Sequence, residues 1–416
     1  MTNPYLRRLG RRQEWARILA AGLLLCVGCR QRPQVSITSG IEEPEDCWVR
    51  VLLFGNLKEC TLSSYSSLEI EDRETAGRVR FGTPYQTIPV HCEPEALWIG
   101  EHRFQNDVMI RTETPFVFEL NGLPFRGHLQ LVQNAEGGIS AVNYVPLESY
   151  LCGVVPAEMQ SYWEPEALKA QAVTCRTYSL YIKHRFGSGR RWDLRRTQAN
   201  QVYQGLLAET APTNKAVSET AGQVLVCPDA QGRWRLFPAY YSSVCGGHTE
   251  NSRNVFGDIV RALGGVPCPY CRQTARSEFF FWTGVSFTRQ ALTEQLQQRY
   301  PVLIQLGEIQ QVEPAQVSEN GRVTSVRLTG AKGQIAFLRG EDFRLAADPS
   351  GQKLRSTIFT IRTTSQGFEF VDGRGFGHGV GLCQNGAQAL AKQGKLYREI
   401  TEYYYPGSRI VRLAEY

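Results

Sequence analysis

The 416-residue chain is 42% hydrophobic and carries 46 basic against 40 acidic residues, a formal charge of +6. That is enough apolar material for one large or two modest domains and excludes a wholly disordered chain. The mild positive balance suits contact with an acidic envelope. No basic tract is dense enough for nucleic-acid binding, and no segment after the amino terminus is long and apolar enough to span a membrane.

Residues 1–29 read as an export signal. Arg7, Arg8, Arg11, Arg12 and Arg17 precede a short apolar run, Ile18 to Val27, and small Gly28 stands before Cys29. The ending LLCVGC resembles a lipoprotein cleavage site with Cys29 as the acylated residue; Cys26 stands where leucine is usual, so simple secretion or an uncleaved anchor stays open. Residues 30–46, with Pro33, Pro44 and many polar side chains, read as a linker. From residue 47 to 144 short runs such as WVRVLLF, TPFVFEL, GHLQLVQ and ISAVNYV alternate with turn residues and predict a β-rich part packed on the core of the chain.

The stretch from Val145 to Phe186 organises that core. A turn of helix at Leu147, Tyr150 and Leu151 passes Gly153 and Pro156 and delivers one carboxylate, Glu158, among Val154, Val155, Ala157 and Met159. A carboxyl held among apolar groups is pushed toward its neutral form, which suits a general acid; an ordinary surface glutamate is the equal alternative on spacing alone. Pro165 and Glu166 then open a helix to about Arg185 that is apolar or small nearly all round and so is predicted to be buried. Arg176 in its middle must be paired, either beside the Glu158 segment or as a core ion pair without chemistry.

Further on, Arg190, Arg191, Arg195 and Arg196 flank Trp192, and helices are expected at Lys215 to Gly222, Thr288 to Arg299 and Gln388 to Lys395. Cys245-x2-His248 followed by Cys268-x2-Cys271 is a soft-ligand set that one Zn²⁺ could take tetrahedrally. A single disulfide would leave His248 without a role, although export would permit disulfides. Four protein ligands leave no place for water, so such a zinc would be structural, pinning the loop from Ser242 to Trp282. The other cysteines, Cys383 included, read as small buried hydrophobes. Residues 283–370 read as an α+β stretch without chemical residues of note, and glycines then alternate around His378 in GRGFGHGVG.

VPLESYLCGVVPAEM with EALKAQAVTCRTYSL, then TQANQVYQG, YYSSVCGGHTENS, LRSTIF and GRGFGHGVGLCQNGAQALAKQG, in that order, resemble the SpoIID/LytB family of stage II sporulation protein D and the amidase enhancers. The resemblance implies an α+β core over residues 145–416, with Glu158 as catalytic acid of a lytic transglycosylase cutting peptidoglycan glycan strands already stripped of stem peptides. It places Gln201, Tyr203, Ser243, His378 and Gln384, with Arg176, as substrate-binding or supporting residues. It also implies an exported protein of the cell envelope with a cell-wall amidase as partner. A non-catalytic glycan binder that enhances such an amidase is the alternative.

Overall fold

The computed structural model describes residues 47–415; the export signal at 1–29 with Cys29 and the linker at 30–46 lie outside them. The first strand, Trp48–Leu57, pairs antiparallel with Ile139–Pro146, Val51 lying opposite Asn143. The chain thus returns beside its own start before it enters the first described helix. These two strands lie in a seven-stranded sheet that continues through His128–Gln133, Asp107–Thr112, Leu68–Asp72 and Arg78–Phe81 and gains Leu194–Arg195 on the other side. A second, six-stranded sheet runs Leu123–Arg126, Val117–Leu120, Glu59–Ser64, Ile88–Glu93, Ala96–Ile99 and His102–Phe104.

Alternation in the sequence becomes alternation of burial. Leu68, Ile70 and Asp72 point inward while Glu69 and Glu71 do not. The inward residues of both sheets share one core with Leu147, Tyr150, Leu151, Cys175 and Leu180 of the helices behind them, so the β-rich part is packed on the helical core as expected.

Two helices carry the centre. The leading helix spans Leu147–Glu158 and the central helix Pro165–Phe186. Pro165 opens the central helix where its missing N–H costs nothing, Glu166 sits in the first turn, and Lys183, His184 and Arg185 in the last turn complement the dipole. The buried positions from Ala167 to Ile182 fall on every side, so this helix is enclosed. Its outer flank, with Ala167, Leu168, Ala170 and Val173, packs into a second core with Leu390, Tyr404 and five cysteines.

Residues 282–370 build a third core of their own, including Trp282, Leu292, Phe343, Phe368 and Phe370. Two three-stranded antiparallel sheets make up its β part, Val285–Thr288 with Gly367–Val371 and Thr360–Thr363, and Ile309–Val317 with Val323–Gly330 and Ile335–Arg339. The expected helix at Thr288 to Arg299 is observed at Arg289–Arg299, with the Thr288 hydroxyl capping the Ala291 N–H.

The other expected helices begin earlier than their apolar pattern suggested. One runs Ala211–Glu219 because Thr210 caps it; the other runs Gln384–Lys392, through Gly386. Gly386 is required there: a Cβ would lie 1.9 Å from the Tyr404 hydroxyl and 2.7 Å from the Cys268 sulfur. No helix among the described residues is long and apolar enough to cross a membrane.

Candidate active site and thiol cluster

The leading helix ends at Glu158, and Met159 turns the chain to extended backbone. A loop at 200–205 crosses this helix closely, because Gly153 has no Cβ; one would meet the Tyr203 ring at 2.6 Å. From that loop the Val202 N–H donates to Glu158 Oε1 at 2.8 Å. Its neighbours face the core. The Gln201 carbonyl accepts from Tyr150 and Ser179 hydroxyls at 3.2 and 2.8 Å, and the Tyr203 hydroxyl donates to Asn143 at 3.1 Å. Gln201 and Tyr203, expected as substrate-binding or supporting residues, are buried and hold the loop that presents the Val202 amide.

Burial raises the Glu158 carboxyl above the usual glutamate range; the Val202 amide, the Tyr241 hydroxyl and the Gln384 side chain pull the other way and lose. A carboxylate at the carbonyl end of a helix also faces a like partial charge. Tyr241 Oη and Gln384 Nε2 are buried near this carboxyl yet complete no hydrogen bond of normal geometry. Two polar groups without partners beside a neutral-leaning acid leave hydrogen-bonding capacity for a ligand.

Glu158 opens on a cleft of about 560 Å³ lined also by Tyr178, Asn200, Ser243, His378 and Gln384. The α+β stretch at 282–370 supplies Glu341, Arg344, Leu345 and Gln352 to the same cleft. Glu341 is the second carboxyl here, and its state is opposite. Burial disfavours its charge, but the Arg344 guanidinium, bonded at 2.6 and 2.9 Å, outweighs that and holds it below the usual range.

His378 lies beside the cleft and leans neutral. Burial pushes its pKa down to about 4, its Nδ1 accepts the Val380 N–H at 3.0 Å, and the other ring nitrogen serves the Tyr241 backbone. Ser243 and Gln384 stay on the cleft surface, where the family motifs suggest.

Arg176 lies elsewhere. It is fully buried, pairs both nitrogens with Glu148 in the first turn of the leading helix at 2.7 and 2.5 Å, and also donates to the Gln223 carbonyl at 3.1 Å. Of the two alternatives for it, the core ion pair is the one observed, and Arg176 is not a cleft residue.

The metal-ligand reading needs one correction. Cys245, Cys268 and Cys271 converge as expected, but the fourth converging group is the Cys383 thiol, not the His248 ring. His248 instead donates from Nδ1 to the Thr249 carbonyl at 2.6 Å. Cys383 arrives because its short strand, Leu382–Cys383, pairs in parallel with Tyr241–Ser242 just before Cys245. All four thiols are buried, and their sulfurs lie within 4.8 Å of one another. Cys245 and Cys271 are 3.7 Å apart, far beyond a disulfide bond and close to the spacing of about 3.8 Å that a tetrahedral site with ~2.3 Å metal–sulfur bonds requires. Hydrogen bonding within the cluster, Cys245 foremost, favours the Cys268 thiolate. The donor set therefore fits a soft tetrahedral ion.

A residue without a sequence signal joins cleft and cluster. Arg322, from the α+β stretch, is 1% exposed and donates to the carbonyls of Cys245 at 3.1 Å and Gly377 at 3.4 Å. Its path exists because Gly379 adopts φ +77° and lacks a Cβ, which would meet the guanidinium at 2.2 Å. The glycines around His378 thus admit an arginine as well as shape a cleft.

Residues 135–227 match the family model described as Stage II sporulation protein, and residues 270–381 match a model described only as a domain of unknown function. An uncharacterized protein of Brachyspira hyodysenteriae is 33% identical over 72% of this chain and 75% of its own length. Stage II sporulation protein D of Bacillus subtilis is 28% identical over 65% of the chain and 76% of its own length. The amidase enhancer of the same organism is 27% identical over 62% of the chain, which spans only 40% of that protein. With the Glu158 helix, the enclosed central helix and the glycine-lined cleft, these matches establish that the chain belongs to the SpoIID/LytB family.

Proposed function

We propose that the protein is a peptidoglycan lytic transglycosylase acting on strands stripped of stem peptides, with Glu158 as its acid and base. The observation that carries this reading is the placement of the two cleft carboxyls: Glu158 accepts one backbone amide and has no cation beside it among the described residues, whereas Glu341 is held by two hydrogen bonds from Arg344. Hydrolysis of a glycosidic bond ordinarily uses two free carboxyls; a reaction in which the sugar captures its own anomeric carbon can run with one. Glu158 gives its proton to the leaving O4 of N-acetylglucosamine as the bond to C1 of N-acetylmuramic acid breaks. It then takes the proton of the muramic C6 hydroxyl as that oxygen closes on C1. Protons and bonds balance without water, and the product carries a 1,6-anhydro ring.

The four thiolates of Cys245, Cys268, Cys271 and Cys383 would hold one Zn²⁺, which closes its shell and serves structure by fixing the loop that carries Ser243. Reading Cys383 as a small buried hydrophobe has no account of its sulfur converging with the other three. Export through the 1–29 signal, anchoring at Cys29 and cooperation with an amidase that strips the strands complete the proposal. The amidase-enhancer relative favours a second reading, a glycan binder that stimulates such an amidase without cutting.

The test is mass spectrometry of peptide-stripped glycan strands incubated with the wild type and Glu158→Gln. Anhydro-ended fragments from the wild type alone support the transglycosylase. Reducing ends, one water heavier, would point to a hydrolase, and intact strands with both proteins to the enhancer reading.

A further inference from the structure

Beyond the Glu158 cleft, the segment after Cys271 carries a run of arginines and phenylalanines. Phe376, on the cleft, meets Phe279 edge to face at 5.3 Å. Arg355 lies over both rings, 5.3 Å from the centroid of Phe279 and 5.8 Å from that of Phe376. Arg276 covers Phe279 at 5.7 Å, and Arg272 covers Phe281 at 5.5 Å, a ring 53% exposed. Rings and guanidinium groups thus lead from the cleft through Phe376 to Phe279, and a second group of Arg272 with Phe280 and Phe281 follows directly in the chain.

The charge of this strip meets no ion-pair partner among the described residues. Arg272, Arg276 and Arg355 take part in none of the ion pairs among the described residues. The nearby acid, Glu278, accepts from Ser277 and offers Arg355 only its backbone carbonyl. Arg355 donates Nε to the Gln352 carbonyl at 2.9 Å and Nη1 to the Glu278 carbonyl, whereas the exposed Arg272 and Arg276 keep their planar forks, the donor pattern that meets a carboxylate with two parallel hydrogen bonds.

We infer that this strip is an outer binding subsite for the glycan strand, recognising the free lactyl carboxylates of its N-acetylmuramic residues. The inference rests on the transglycosylase substrate proposed above and adds what selects it. A strand bearing stem peptides has each lactyl carboxyl tied up in an amide; a stripped strand presents it as an anion, one per disaccharide. Three unpaired arginines beside the cleft then favour the stripped form by charge, while the rings offer the sugars an apolar floor. Individual exposed ion pairs contribute little, so discrimination comes from several acting along one strand.

The test measures binding in the Glu158→Gln background, where strands stay whole. The probes are peptide-stripped strands and the same strands with carboxyls converted to methyl esters. Arg272→Gln with Arg276→Gln is expected to weaken binding of stripped strands about tenfold at low salt and to leave esterified strands unchanged. Arg276→Lys, which keeps charge but not the planar fork, falls between. Loss on both probes alike, no loss on either, or loss of an acidic protein's binding with strand affinity intact would overturn the inference. Cleavage by the protein with Glu158 intact is followed in parallel. Strands bound through carboxylates but never cut would overturn the transglycosylase reading and leave the subsite standing. Strands cut by the Arg272→Gln, Arg276→Gln protein as readily as by wild type, esterified or not, would do the reverse.

Discussion

The two ends of the leading helix place a glutamate in opposite circumstances. At the first turn, Glu148 is enclosed with Arg176, accepts both of its nitrogens and the Gly222 N–H, and locks the helix against the chain beyond. At the last turn, Glu158 has one backbone amide and two incompletely bonded neighbours, and it opens on a cleft. One helix thus spends a carboxylate on stability and keeps another ready for chemistry; what separates them is whether a cation was built to meet them.

The contrast between the two ends breaks most sharply at these residues. Glu158→Gln should lower strand cleavage by about 10²- to 10⁴-fold, the range for a lost proton donor, with no loss of melting temperature; turnover of defined strands checks it. Arg176→Met leaves Glu148 buried and unpaired and should cost about 3–5 kcal/mol in urea unfolding, with loss of activity following loss of fold. If Arg176→Met instead left a stable protein with a specific catalytic defect, the division between the two ends would be wrong.

Metal content sharpens the same line between scaffold and site. Cys383→Ser should lower zinc affinity by at least about tenfold, read by chelator competition, whereas His248→Ala should leave it unchanged. The reverse pattern would restore His248 as ligand. Tyr241→Phe removes a hydroxyl beside Glu158 and should change turnover by about three- to tenfold.

The pH dependence carries a sign. The folded Glu158 pKa is raised, so the acid-competent form is lost as pH rises through it, and the rate of bond cleavage should fall on that limb. The same shift means that ionising Glu158 costs stability at higher pH. Glu158→Gln should therefore melt above the wild type at neutral pH and match it below the ordinary glutamate range.

Much of the fold and the site was legible in the sequence. The Glu158 environment, the enclosed helix opened by Pro165, the alternating strands and three of the four thiols follow from local pattern. What escaped depends on pairing between distant segments. Cys383 belongs to no short cysteine motif and joins the cluster only because its strand lies beside Tyr241–Ser242. Gln201 and Tyr203 sit where a family block suggests sugar contacts, but alternate residues of an irregular loop face opposite ways, and only the Val202 amide reaches Glu158. Apart from LRSTIF the stretch at 282–370 showed no motif, yet Glu341 and Arg344 line the cleft and Arg322 braces it; Glu341 and Arg344 pair within one helix, Gly340–Ala347, and only the tertiary fold brings that helix to the cleft.

The role of Glu158 is tested most directly by titrating its side-chain carboxyl by carbon NMR, the signal being assigned by its absence in Glu158→Gln. The predicted midpoint lies above that of an ordinary glutamate and coincides with the falling limb of the cleavage rate. A midpoint at or below the ordinary value would mean that Glu158 is already a carboxylate at working pH, and it would contradict its role as the acid.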